Sequence, residues 1–108
     1  MSKVEGFDCF VASTDYGNLG VVHQTRGELD EAVAMYEKAL ALNEELGRKE
    51  GMATDYGNLG IVHRTRGELD EARRVWMLSL NLFEEIGSPN AERVRSWLAE
   101  PDKQSPVE

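Results

Sequence analysis

Three observations predict an all-α fold, an α-solenoid built from two antiparallel helix pairs and a C-terminal capping helix. The stretch Thr14 to Ala32, TDYGNLGVVHQTRGELDEA, returns at Thr54 to Ala72 as TDYGNLGIVHRTRGELDEA, a period of 40 residues. Apolar residues within each unit recur at helical rather than strand spacing. A glycine follows each helical stretch, at Gly27, Gly47, Gly67 and Gly87. A period of about 20 to 50 residues marks stacked supersecondary units, each burying its apolar face against its neighbours.

Aligned without a gap, residues 14–53 and 54–93 are identical at 22 of 40 positions. The first half of the unit is held fixed, and most of the divergence falls in Val33 to Ala41 against Arg73 to Asn81 and after Gly47. Helix A of the first unit is expected over about residues 13–26, where Tyr16, Leu19, Gly20 and His23 share one face at i, i+3, i+4 and i+7. Gly27 ends it, because glycine takes the left-handed conformation at a helix C′ position without penalty. Helix B opens at Leu29-Asp30-Glu31, where carboxylates suit the positive end of the helix dipole. It carries Ala32, Met35, Tyr36, Ala39, Leu40 and Leu46 at helical spacing and closes at Gly47.

Small residues indicate where A and B touch. Gly20 and Ala32, with their copies Gly60 and Ala72, let the backbones approach while Tyr16, Leu19 and Tyr36 fill the space around them. A glycine inside a helix costs about 1 kcal/mol relative to alanine, and close helix packing is the simplest compensation. The expected layout is an N-terminal segment or cap over 1–12, unit 1 over 13–52, unit 2 over 53–87, a capping helix over 88–100 and a disordered tail over 101–108. Ser88-Pro89 offers an N-cap with proline at the first helical position, followed by the apolar face Val94, Trp97 and Leu98. Helix B of the second unit replaces Glu37, Lys38 and Asn43 of the first with Met77, Leu78 and Phe83. That exchange marks an end covered either by Val94, Trp97 and Leu98 or by a second copy of the chain. Phe7, Phe10 and Val11 stand at the other end, where they extend helix A or fold over it.

Composition narrows the function classes. The 108 residues include 20 acidic and 12 basic side chains, a net charge of −8. That balance argues against nucleic acid, whose phosphates call for clustered cations, and against an anionic membrane surface. No apolar run approaches the roughly 18 residues that span a bilayer, and a cytoplasmic location is the default expectation. Cys9 is the single cysteine and has no ligand partner at metal spacing. No phosphate loop, cofactor motif or Cys/His cluster is present, so neither a cofactor nor an enzyme activity is expected. His23 and His63, one per unit, are expected as half-buried packing residues with one hydrogen bond each. The run Glu28, Asp30, Glu31 and its copy Glu68, Asp70, Glu71 lie at helix starts, where the dipole and solvation account for them.

These residues resemble the tetratricopeptide repeat (TPR) family. Its pattern W-x2-L-G-x2-Y…A-x3-F is matched by Tyr16-x2-Leu19-Gly20-x2-His23 with Ala32-x3-Tyr36, and again by Tyr56-x2-Leu59-Gly60-x2-His63 with Ala72-x3-Trp76. The 40-residue unit is longer than the common one and has Glu44 or Glu84 where a proline is usual. With Asn-Leu-Gly in helix A, it is similar to the long repeats of kinesin light chains, spindle-orienting adaptors and many microbial signalling proteins. The resemblance covers about residues 13–93 and implies a scaffold or a binder of extended peptides.

In that architecture helix A lines a concave groove, which would be faced by Thr14, Gly17, Asn18, Val21, Gln24 and Thr25 and by Thr54, Gly57, Asn58, Ile61, Arg64 and Thr65. In the similar long-repeat families the asparagine before Leu-Gly holds a peptide main chain, and Asn18 and Asn58 match it. An amide has both donors and an acceptor for that task. The alternative is that these asparagines tie their helices to neighbouring backbone and that Gly17 and Gly57 serve packing. Gln24 and Arg64 differ between units and are the expected specificity residues. The subclass that captures acidic chaperone tails uses lysines and arginines here; with Gly, Val and Ile on this surface, that partner is not expected. A protein or peptide partner is therefore one expectation. A homo-oligomer built through Phe7, Phe10, Met77, Leu78 and Phe83 is the other.

Overall fold

The computed structural model describes the backbone of residues 2–100 and side chains from Cys9 onward. Five helices follow one another: α1 (Ser2–Thr25), α2 (Leu29–Leu46), α3 (Lys49–Thr65), α4 (Leu69–Glu85) and α5 (Asn90–Ala99). Each packs chiefly on its neighbours in sequence: α1 with α2 and α3 with α4 form hairpins, α2 with α3 joins them, and α5 lies on α4. The expected all-α solenoid is the observed architecture. Of the two placements expected for the N-terminal segment, extending helix A or folding over it, the backbone takes the first: from Ser2 it is continuous with α1. Nothing between Ser2 and Ser13 stops a helix except Gly6, and a single glycine weakens a helix without breaking it. Phe7 lies outside the residues whose side chains are described, as does the tail over 101–108.

All four interhelical turns are built alike. Gly27, Gly47, Gly67 and Gly87 have φ of 79°, 70°, 82° and 69°, a region that side-chain-bearing residues rarely occupy. At the first turn Gly27 N–H donates to Gln24 O and Glu28 N–H to His23 O, at 3.0 and 2.8 Å. Glu68 N–H to His63 O repeats this bond at 2.8 Å, and Arg48 to Asn43 and Ser88 to Phe83 repeat it at 2.9 Å. These pairs satisfy carbonyls that a helix end leaves orphaned. Every helix therefore leaves its predecessor through the same reversal.

Within each hairpin an aromatic ring of helix B rests on a glycine of helix A. A Cβ on Gly20 would stand 2.5 Å from Tyr36 Cε1, and one on Gly60 would enter the indole of Trp76. Tyr36 is fully buried and Trp76 is 3 % exposed. Their polar ends are satisfied, since Tyr36 Oη donates to Gln24 Oε1 at 2.7 Å and Trp76 Nε1 donates to Gly57 O at 3.1 Å. Each hairpin also carries one buried serine and one buried alanine, in reversed order between the units. Ser13 with Ala39 and Ala53 with Ser79 are all buried, and each hydroxyl donates to a main-chain carbonyl at 2.8 Å, Ser13 to Phe10 and Ser79 to Ala53.

At the C-terminal end α5 closes the stack. Phe83 is 4 % exposed among Ala53, Ala91 and Val94, with Trp97 and Leu98 packed against them. The rings of Trp76 and Trp97 lie 5.4 Å apart between centroids. The apolar exchange in α4 thus splits: Phe83 is covered by the chain's own last helix, Leu78 is half-buried and Met77 remains exposed. Ser88 Oγ accepts from the Asn90 N–H at 3.1 Å; the helix begins at Asn90, so Pro89 takes the N-cap position rather than the first helical position expected for it.

Gly60→Ala is expected to destabilise the fold by about 2 kcal/mol, because the ring of Trp76 has nowhere to move. Gly17→Ala meets no atom within 4 Å and is expected to stabilise it by roughly 0.5–1 kcal/mol through helix propensity. Urea denaturation followed by circular dichroism measures both.

Candidate functional site

Stacking the two hairpins leaves a cleft between α1 and α3, floored by the end of α2 and the α2–α3 turn. Its volume is about 370 Å³, and its walls are Ser13, Thr14, Gly17, Asn18 and Val21 from α1 and Glu50, Gly51, Thr54, Asp55 and Asn58 from α3. Asn43 and Arg48 form the floor. Of the residues expected in the groove, Thr14, Gly17, Asn18, Val21, Thr54 and Asn58 stand in this cleft. A smaller one of about 110 Å³ between α3 and α5 is bordered by Thr54, Gly57 and Asn58 with Phe83, Asn90, Arg93, Val94 and Trp97. Gly57 therefore faces the cap: a Cβ there would lie 3.5 Å from Ser79 Oγ and 3.6 Å from the Trp97 ring.

Ile61, Thr25, Thr65, Gln24 and Arg64 border neither cleft. Gln24 is occupied by the Tyr36 hydroxyl. Arg64 stacks over the Trp76 ring, 5.4 Å from its centroid, and pairs with Glu100 at 3.5 Å. The two divergent positions thus follow the ring they cover, Gln24 with Tyr36 and Arg64 with Trp76. In this structure both side chains are engaged within the chain.

The amides of Asn18 and Asn58 make no hydrogen bond to the protein among the described residues. Asn18 is exposed and Asn58 half-buried. The alternative that they tie helices to neighbouring backbone finds no bond to support it. The histidines do have partners, with Nδ1 of His23 on Glu28 Oε1 at 2.6 Å and Nδ1 of His63 on Glu68 Oε1 at 2.7 Å. Each pair straddles a glycine turn, and the His23 hydrogen bond holds Glu28 below the usual carboxylate range. Among the described residues no three His, Cys, Asp or Glu side chains gather as a metal-binding group.

The floor carries a network that the sequence reading missed. Asn43 Nδ2 donates to Asp55 Oδ2 at 2.8 Å and Arg48 Nη1 donates to Asn43 Oδ1 at 2.9 Å. The Arg48 guanidinium lies 4.5 Å from the centroid of Phe10. Gly51 makes room for Asn43, since a Cβ there would come within 2.6 Å of its amide. The available signal was helical spacing on α3: Gly51, Asp55 and Asn58 fall at i, i+4 and i+7 and so share a face.

Asp55 is 5 % exposed, and burial pushes its pKa up from 3.8 to about 6, with the Asn43 hydrogen bond and Arg48 opposing. A folded carboxyl that holds its proton more tightly than the unfolded one favours folding most below pH 3.8, and loses that contribution as pH rises to about 6. Asp55→Asn keeps an acceptor for Asn43 and removes the buried charge. The variant is expected to exceed the parent in stability by about 1 kcal/mol at neutral pH, and to match it near pH 4. Thermal melts across that pH range read the difference.

Comparison with known families matches residues 10–85 to the tetratricopeptide repeat, and a search of curated proteins finds no match. No helix among the described residues is long and apolar enough to cross a membrane. Tetratricopeptide repeats generally serve as non-catalytic modules of protein–protein interaction. With the match spanning both hairpins, and with the glycine-on-ring contact in each, this chain belongs to the tetratricopeptide repeat family.

Proposed function

We propose that the cleft between α1 and α3 binds an extended peptide segment, and that Asn18 and Asn58 hold its main chain. The observation that carries this reading is the pair of unengaged amides, one from each unit, on the two walls of one cleft. An amide offers donors and an acceptor together, which is what a main chain presents at each residue. Gly17 adds to this, because with nothing within 4 Å of its missing Cβ a peptide backbone can approach closely. The long-repeat resemblance, with asparagine ahead of Leu-Gly, points the same way.

A second reading, self-association, is favoured by one specific observation. Leu19 and Val22 on α1 are 44 % and 47 % exposed, whereas their counterparts Leu59 and Val62 on α3 are 4 % and 0 % exposed. The difference is α2, which packs Leu29, Val33 and Leu40 around Leu59 and Val62. A second copy would meet this face with its own α1 in an isologous contact.

Two measurements separate the readings. Randomised peptides displayed on phage and selected on the intact chain are expected to yield binders whose affinity falls at least about tenfold on the Asn18→Ala/Asn58→Ala variant, two hydrogen-bonding side chains being lost. Unchanged affinity with intact helical circular dichroism rejects the groove reading. For the second, sedimentation equilibrium is expected to show a dimer at high concentration that Leu19→Glu/Val22→Glu dissociates. A monomer at every concentration rejects it.

A further inference from the structure

The cleft has a chemical preference that the asparagines alone do not give it. Asp55 lies on its wall, 5 % exposed, with Oδ2 engaged by Asn43. Oδ1 has no hydrogen-bond partner among the described residues, yet no buried side-chain oxygen or nitrogen there lacks one. It follows that Oδ1 reaches open space, and the open space beside Asp55 is the cleft. No cation lies within ion-pair distance of this carboxylate. Arg48, the cation of the floor, is turned toward the Asn43 carbonyl oxygen and the Phe10 ring. A carboxylate taken out of water without a paired cation is costly, and an incoming cation would recover that cost.

The remaining walls decide what kind of cation fits. Ser13, Thr14, Asn18, Thr54 and Asn58 are neutral, and Glu50 adds negative charge at the rim. The whole chain carries −8 and so draws cations toward itself over a distance of about a Debye length. From these walls we infer that the peptide lying across Asn18 and Asn58 is basic, and that one lysine or arginine side chain extends from it to Oδ1 of Asp55. This rests on the groove reading and adds the ligand's chemistry to it. Asn43 and Gly51 then act as positioning residues, holding Asp55 so that one oxygen faces the floor and the other the ligand.

The test selects randomised displayed peptides on the intact chain and, in parallel, on Asp55→Asn. Selections on the parent are expected to enrich lysine or arginine at one position, and those on Asp55→Asn are not. Replacing that residue by norleucine, which keeps the alkyl stem and drops the charge, should weaken binding to the parent at least about tenfold and to Asp55→Asn no more than about twofold. The norleucine exchange on the parent stands even where a variant folds poorly. Glu50→Gln should leave the preference in place; its loss there would mean diffuse attraction by the rim and would overturn the assignment to Asp55. Binders without a basic position, or an equal norleucine penalty on parent and Asp55→Asn, overturn the inference and leave the groove standing. If selection on the parent yields no binders, the groove fails with it.

Discussion

The fold depends on a ring resting against a helix backbone where a side chain would otherwise be. Tyr36 on Gly20 and Trp76 on Gly60 set the distance between the two helices of each hairpin, and that distance fixes everything built above it. With helix B this close, the residues at Ser13, Ala39, Ala53 and Ser79 must be small, and each hydroxyl must find a main-chain carbonyl, Ser13 in its own helix and Ser79 across the hairpin. The ring's polar end then needs a partner of its own. Unit 1 supplies the Gln24 amide and unit 2 the Gly57 carbonyl, with Arg64 stacked over the indole. Exchanging tyrosine for tryptophan therefore changes two positions together, 36/76 and 24/64.

Much of this was legible in the sequence, because a packing constraint repeated 40 residues apart appears twice. The hairpins, the glycine reversals, the small-residue contacts and the capping helix follow from period and spacing, as does the placement of Thr14, Gly17, Asn18, Val21, Thr54 and Asn58 along a shared cleft. What a single repeat cannot show is the joint between repeats. Asp15 and Asp55 are the same residue in the same motif, yet Asp15 is exposed and Asp55 buried, because only the second has a helix B in front of it. Leu19 and Leu59 diverge for the same reason. At Gln24 and Arg64, sequence difference alone does not separate a residue that meets a ligand from one that follows a neighbouring ring.

The two joints of the stack are built from opposite materials. Between α4 and α5, Phe83 meets Ala91 and Val94 in an apolar contact. Between α2 and α3 the equivalent position is Asn43, opposite Gly51, and it is spent on Asp55 and Arg48. Gly51 is what admits the asparagine, since a Cβ there would come within 2.6 Å of its amide, whereas Phe83 packs with Ala91. The polar joint is a matched set, just as the apolar one is.

A matched polar set at this place has an energetic consequence. Hydrogen bonds within it roughly offset the desolvation of Asn43 and Arg48, but the Asp55 charge is left only partly compensated, which is why its pKa rises to about 6. An apolar joint like that of Phe83 carries no such penalty, and the chain uses one forty residues later. The difference between the joints lies in what they border: Phe83 sits beneath the closing helix, while Asn43 and Asp55 line the floor and wall of the open cleft that the two asparagines also line. A buried carboxylate is a poor way to hold helices together and a good way to hold a cation, because the low-dielectric walls that disfavour its charge strengthen its attraction for an opposite one. Position and energetics therefore point in one direction, toward a joint whose missing counter-charge arrives with the ligand.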